Sequence, residues 1–197
     1  MTTLIQILSF LIHVLGSLYL SVILLRFLLQ VARADFYNPI SQQLVKLTNP
    51  VLMPLRKVIP GFWGLDLACV VFAILFHWFA MQLFLLVNGQ PFFPPHYMLA
   101  WSLVGIILNV CTLYTVAGIV MVIASFIAPY SSHPILVLIR QLMEPVLAPF
   151  RRIIPSTGGL DLSLFFLMIT LVVIRMTVQG IGATFNTPFA ALIGYNF

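Results

Sequence analysis

The side chains able to do chemistry in this sequence are few, and most of them come in pairs. Asp66 and Asp161 each follow a Gly-Leu step, and each is preceded by a cationic pair, Arg56-Lys57 and Arg151-Arg152. A carboxylate that opens an apolar helix accepts backbone N–H bonds and favours the positive end of the helix dipole. The same carboxylate is placed to pair with Arg56 or Arg151 across the intervening turn. Two related acids near a symmetry axis also have the donor type for a cation site. Capping, ion pairing and cation binding are all open to Asp66 and Asp161.

Arg175 stands alone in a long apolar run. A charge in such a run is a functional hypothesis by default, because lipid solvates charge poorly. At helical rise it lies roughly 20 Å from Asp161, in a layer shared with Gln82, Asn109 and Gln179. Amide oxygens of that layer, the outer headgroups, or a substrate anion are the partners open to it. Arg26 falls near the end of the first apolar run, where snorkelling suffices. His77 and His13 read as packing residues more readily than as a proton relay, since no acid shares their depth. Cys69 and Cys111 sit in apolar runs without CxxC or metal spacing and read as small buried hydrophobes. No GxSxG, HExxH, phosphate loop or dinucleotide fingerprint is present. No enzyme activity, catalytic residue, metal site or cofactor is expected.

What must position these residues is a set of membrane helices. The chain has 197 residues, 62% hydrophobic and only 7% charged, against about 25% charged in soluble domains. A soluble shell built from this composition would aggregate. About 20 apolar residues cross the hydrocarbon layer as helix, and four stretches qualify: about 4–31, 65–87, 97–127 and 160–185. Helices are required because backbone groups in lipid must be satisfied within the segment. The first stretch lacks an obvious cleavage site and reads as a retained span. The expected fold is an all-α membrane protein of four spans.

The segments between spans, 36–64 and 128–159, are copies of one pattern. Moved by 95 positions, Pro39, Pro50, Pro54, Arg56, Pro60, Gly64 and Asp66 fall on Pro134, Pro145, Pro149, Arg151, Pro155, Gly159 and Asp161, with Lys57 on Arg152. The match runs without a gap, so the chain is a tandem repeat, residues 1–95 and 96–197, each reading span, linker, span. An even number of crossings returns the chain to its starting side, so the repeats are parallel. Ile40, Leu44, Leu47, Val51, Leu55 and Val58 recur at steps of three and four, as do Ile135, Ile139, Leu142, Val146, Phe150 and Ile153. These are amphipathic helices for the membrane interface. Their prolines predict a bend near Asn49-Pro50 and Glu144-Pro145, making two short helices per linker, the second capped by Asn49 or Glu144. Gly64 and Gly159 suit turns that need positive φ. Each linker reads as an interfacial anchor or as a docking platform for a cytoplasmic protein or lipid headgroup; a re-entrant pore loop is a third reading, opposed by the cost of carrying Arg56-Lys57 and Arg151-Arg152 into lipid.

The net charge of +5 is concentrated in the linkers, which carry Arg33, Lys46, Arg56 and Lys57 in one and Arg140, Arg151 and Arg152 in the other. The positive-inside bias places both linkers in the cytoplasm and both termini outside, in the periplasm of a bacterial inner membrane. The expected partners are the bilayer, anionic headgroups and other membrane proteins; nucleic acid is not expected.

Asp35-Phe36-Tyr37-Asn38-Pro39, Pro50-x-x-x-Pro54-x-Arg56-Lys57-x-x-Pro60 and Gly64-Leu65-Asp66, with their second copies, resemble the YggT family of integral membrane proteins. The resemblance covers nearly the whole chain. It implies a two-repeat bacterial inner-membrane protein, linked to osmotic-stress tolerance and potassium uptake, to cell division, or to cytochrome assembly. Phe62-Trp63 departs from the small residues that Thr157-Gly158 supply in the second copy. Two functions follow as expectations: a scaffold or assembly factor for membrane proteins, or an ion pathway using Asp66, Asp161 and Arg175.

Overall fold

A computed structural model describes residues 2–62, 64–128, 131–153 and 162–192 of the chain. Its helices run α1 (Thr2–Val31), α2 (Pro39–Arg56), α3 (Leu67–Val87), α4 (Pro95–Ile127), α5 (Pro134–Ile153) and α6 (Leu162–Thr184), followed by a short 3₁₀ turn at Phe189–Ala191. Four of these, α1, α3, α4 and α6, are long and apolar enough to cross a membrane. The chain is a multi-pass membrane protein with the four spans expected from hydropathy. At 1.5 Å per residue, α1 and α4 reach roughly 45–50 Å, well beyond a hydrocarbon layer of about 30 Å. They must tilt or project from it.

Each repeat folds as an antiparallel pair of spans, α1 with α3 and α4 with α6, and an amphipathic helix laid across one end. At the other end, Asn88 Nδ2 donates to Ser9 Oγ at 2.9 Å and Trp101 Nε1 donates to the Phe185 carbonyl at 2.9 Å. The seam between repeats is α3 on α4, supported by α1 on α4 and by α2 and α1 on α5. Ser21 reaches across it to Asn109 Oδ1 at 3.4 Å. His77 of α3, fully buried, lies 3.2 Å from the Ser102 hydroxyl of α4 through its Nδ1. Its Nε2 edge is turned onto Gly105, one turn further along the same face of α4. The absent side chain at Gly105 is what lets the two spans approach so closely there.

The linkers differ from the sequence expectation in their continuity. Each is a single continuous helix, with Pro50 and Pro54 inside α2 and Pro145 and Pro149 inside α5. All four prolines lie on exposed positions. The ladder bonds they remove are therefore lost on a face where water or headgroups satisfy the freed carbonyls. The opposite face stays packed through Leu44, Thr48 and Leu52 in α2 and Leu138, Leu142 and Leu147 in α5. With no break, neither Asn49 nor Glu144 caps a second helix. The cap that forms is at the start of α2, where Pro39 sets the first turn and Asn38 Oδ1 accepts from the Ile40 N–H at 2.9 Å. Asn38 Nδ2 also donates to the Pro134 carbonyl at 2.8 Å, and the Asp35 N–H donates to Gln141 Oε1 at 2.9 Å, tying the two linkers together.

The face that α2 buries is also rotated from the apolar stripe. Ser41, Leu44, Thr48 and Leu52 point inward, whereas Leu47, Val51 and Val58 stay exposed. The stripe thus serves two contacts at once, protein on one flank and lipid on the other.

Candidate functional site

The repeated motif converges at the linker end of the bundle. Arg56, in the last turn of α2, donates to Asp66 Oδ2 from Nε at 3.0 Å and from Nη2 at 2.5 Å. Asp66 opens α3, yet its carboxylate makes no capping bond to that helix. Of the uses open to it, pairing is the one observed and capping is corrected. The guanidinium fork offers two charge-assisted donors, which outcompete neutral backbone N–H groups. Phe62 and Leu65 exchange backbone bonds at 3.1 and 2.9 Å, closing the turn that brings Asp66 back to Arg56. Gly64 occupies φ +78° in that turn, the conformation its sequence position predicts. The Gly64 carbonyl accepts from Gln30 Nε2 at 2.8 Å, which fixes the turn to α1.

The pair is lopsided in exposure. The Asp66 side chain is 8% accessible and that of Arg56 41%. Truncating Arg56 strands a buried carboxylate, whereas truncating Asp66 leaves an arginine that water reaches. Arg56→Ala is therefore expected to destabilise the purified protein by about 1–3 kcal/mol, and Asp66→Ala by clearly less. Thermal unfolding of the two variants in one detergent checks the order; equal losses would mean that the pair is not what holds the turn.

In the second copy the linker is described as far as Ile153. Arg151 Nη1 donates to Glu144 Oε2 at 2.7 Å, two helical turns back on α5. Pro155, Gly159 and Asp161 lie outside the described residues. Pro54, Lys57 and Pro60, like Pro149 and Arg152, are exposed at the linker surface. Lys57 and Arg152 project cationic groups from equivalent positions.

Arg175 is half-buried on α6, within electrostatic reach of Cys111 on α4. Two of the amide oxygens in its layer accept from other groups as well: Gln82 Oε1 from the Phe93 N–H at 3.3 Å and Asn109 Oδ1 from Ser21. The structure thus places Arg175 far along the spans from the Arg56–Asp66 pair, in no common site with it. Cys69 and Cys111 are both buried, as their apolar surroundings imply. Among the described residues, no group of three or more His, Cys, Asp or Glu is placed to hold a metal ion.

Sequence reasoning placed Arg26 near a span end but did not find its partner. Arg26 does not snorkel outward; Nη1 donates to the Thr48 hydroxyl and, at 3.5 Å, to the Val45 carbonyl, both on α2. Arg26 therefore lines a cleft between α1 and α2 together with Gln30, Arg33, Asn49 and Arg56. A polar residue five places before a span's end, facing a linker that carries Thr, was the available signal.

Four apolar spans, two docked amphipathic helices and a duplicated Arg-Pro-Gly-Asp linker define a class of small, internally repeated multi-pass membrane proteins. The family described as CCB3/YggT matches residues 5–87 and again 100–182, one match per repeat, and the chain belongs to that family. An uncharacterized protein of Pseudomonas aeruginosa is 45% identical over 172 residues, 86% of each chain. An uncharacterized Vibrio alginolyticus protein is 42% identical over 165 residues, 83% of this chain and 88% of the relative. The uncharacterized protein YggT of Escherichia coli is 38% identical over 177 residues, 88% of this chain and 90% of the relative. No solved structure matches.

Proposed function

We propose that the protein is a non-enzymatic scaffold or assembly factor of the bacterial inner membrane, with both linkers in the cytoplasm and both termini in the periplasm. The observation that carries this reading is the linker end. Two amphipathic helices are held to the bundle by their own buried leucines, and each ends in an exposed cationic group, Lys57 or Arg152. Rigid, duplicated and positively charged, this surface suits docking of other membrane proteins. The lipid-facing sides of the spans add contact area: α6 exposes Phe165, Phe166, Ile169, Val172 and Val173 along one side. Osmotic-stress tolerance and cell-division organisation are the processes the family resemblance attaches to such a scaffold. The ion-pathway reading is less favoured, because Asp66 is committed to Arg56 and the mid-span groups Ser21, Asn109, His77 and Ser102 bond across helices.

Photo-crosslinking in cells from probes at Lys57 and Arg152, followed by purification, tests the scaffold. Defined adducts with other membrane proteins are expected; adducts with lipid and with the protein itself alone would count against it. A reporter fused at either terminus is expected to be active only outside the cytoplasm.

A further inference from the structure

We propose that the cleft between α1 and α2 is a binding site for the headgroup of an anionic glycerophospholipid, with Arg26 and Arg33 as its phosphate ligands. The inference does not depend on the scaffold reading; it needs only the cleft and a membrane around it.

The cleft has a volume of about 460 Å³ and is lined by cationic and polar groups from both helices, with no acid among them. Arg56 is neutralised by Asp66. Arg26 and Arg33 are not: among the described residues neither is ion-paired with a carboxylate, and the bonds of Arg26 go to neutral oxygens. A half-buried arginine satisfied only by neutral acceptors retains most of its appetite for an anion. Asn49 lines the same cleft and has a buried Oδ1 without a hydrogen-bond partner. A headgroup hydroxyl would supply the missing donor. Phe36, exposed at the rim, offers an apolar lip.

The duplication supplies an internal comparison. The equivalent cleft between α4 and α5 is lined by Met121, Ala124, Ser125, Leu136, Ile139 and Arg140. Moved by 95 positions, these six fall on residues that line the first cleft, Arg26, Leu29, Gln30, Ser41, Leu44 and Val45. The architecture is thus common to both repeats, but the second cleft has shrunk to about 160 Å³, with Met in place of the inner arginine and Leu in place of Ser41. A purely structural role for the cleft would not require one copy to be wide and lined by three arginines while the other is narrow and lined by one, Arg140.

The phosphate chemistry has two sources, a lipid and the free ion. Depth favours the lipid. Arg26 lies five residues inside the end of α1, roughly 7–8 Å along its axis, close to the headgroup boundary. A lipid phosphodiester resides at that level already, whereas free phosphate would have to leave water to reach it. Basic pockets at span ends on the linker side are the expected form of such recognition.

The test uses the full chain in a neutral detergent. Native mass spectrometry follows adducts with phosphatidylglycerol, with phosphatidylcholine of the same acyl chains, and with phosphatidylglycerol in the presence of millimolar inorganic phosphate. Phosphatidylglycerol should be retained roughly tenfold more tightly than phosphatidylcholine, and Arg26→Gln or Arg33→Gln should each erase most of that preference. Arg140→Gln, in the second cleft, should leave it intact. Arg33 is exposed, so Arg33→Gln keeps the test valid even if Arg26→Gln misfolds. Equal retention of both lipids, an unchanged preference in Arg33→Gln, or an equal loss in Arg140→Gln would overturn the proposal. Displacement by millimolar phosphate would reassign the cleft to the free ion and overturn the lipid assignment.

Discussion

Leu142→Ala is expected to destabilise the protein by about 2–5 kcal/mol, while Leu47→Ala, at the equivalent place in the first repeat, is expected to change stability by no more than about 0.5 kcal/mol. Sequence treats the two leucines alike. The fold does not: Leu142 is 3% exposed and Leu47 60%. α5 packs on α4, α6, α2 and α1, and Leu142 joins a core with Leu138, Met143 and Leu147. Leu47 lies on the flank of α2 that looks away from the bundle. Removing the Leu142 side chain empties packed volume that neighbouring helices fill only in part; removing that of Leu47 exchanges one contact with lipid or detergent for another. Leu52 and Leu147, also repeat-equivalent, are both fully buried. Leu52→Ala and Leu147→Ala should therefore both fall in the large class. Denaturation of the purified variants, in one detergent and against one reference, measures all four. Similar losses for Leu47→Ala and Leu142→Ala would mean that α2 and α5 dock symmetrically and that the packing described for α5 is wrong.

The same contrast shows what sequence reveals and what it withholds. The spans were legible because hydropathy over about 20 residues is a constraint each segment meets alone. The repeat was legible because prolines, glycines and acids fell in register 95 positions apart. The pairing of Asp66 with Arg56 was one of several open uses, and only the turn at Gly64 decides among them by bringing the groups together. Continuity of α2 and α5 was not legible. Proline rules describe the cost to an isolated helix, and here Leu44, Leu52, Leu142 and Leu147 are held by other helices whose contacts no local rule contains. Arg26 was misread for a related reason. Its depth near a span end permits snorkelling, but the hydroxyl it meets, on Thr48, belongs to a different helix. The cleft in which it sits exists only once α2 has docked.

Gly105→Ala is expected to destabilise the purified protein by about 1–3 kcal/mol, and Gly105→Leu to prevent recovery of a monodisperse species. A β-carbon at Gly105 would fall inside the van der Waals envelope of the His77 ring, at Nε2 and Cε1. The ring is fully buried and its other edge faces Ser102, so it has no free direction in which to yield. Either α3 and α4 separate, opening the seam between the repeats, or the ring abandons Ser102. Gly180 provides the contrast. Apart from its chain neighbours and the backbone of its own helix, no atom lies within 4 Å of where its β-carbon would stand, so Gly180→Ala in α6 should be neutral or slightly stabilising through backbone entropy. The decisive measurement is a double-mutant cycle. His77→Ala removes the obstructing ring, at its own cost in packing and in the Ser102 contact, and leaves room for the new methyl group. Adding Gly105→Ala to that background should then cost roughly 1–2 kcal/mol less than adding it to the parent. Strict additivity in the cycle would show that the two residues do not meet, and the seam as described would have to be abandoned.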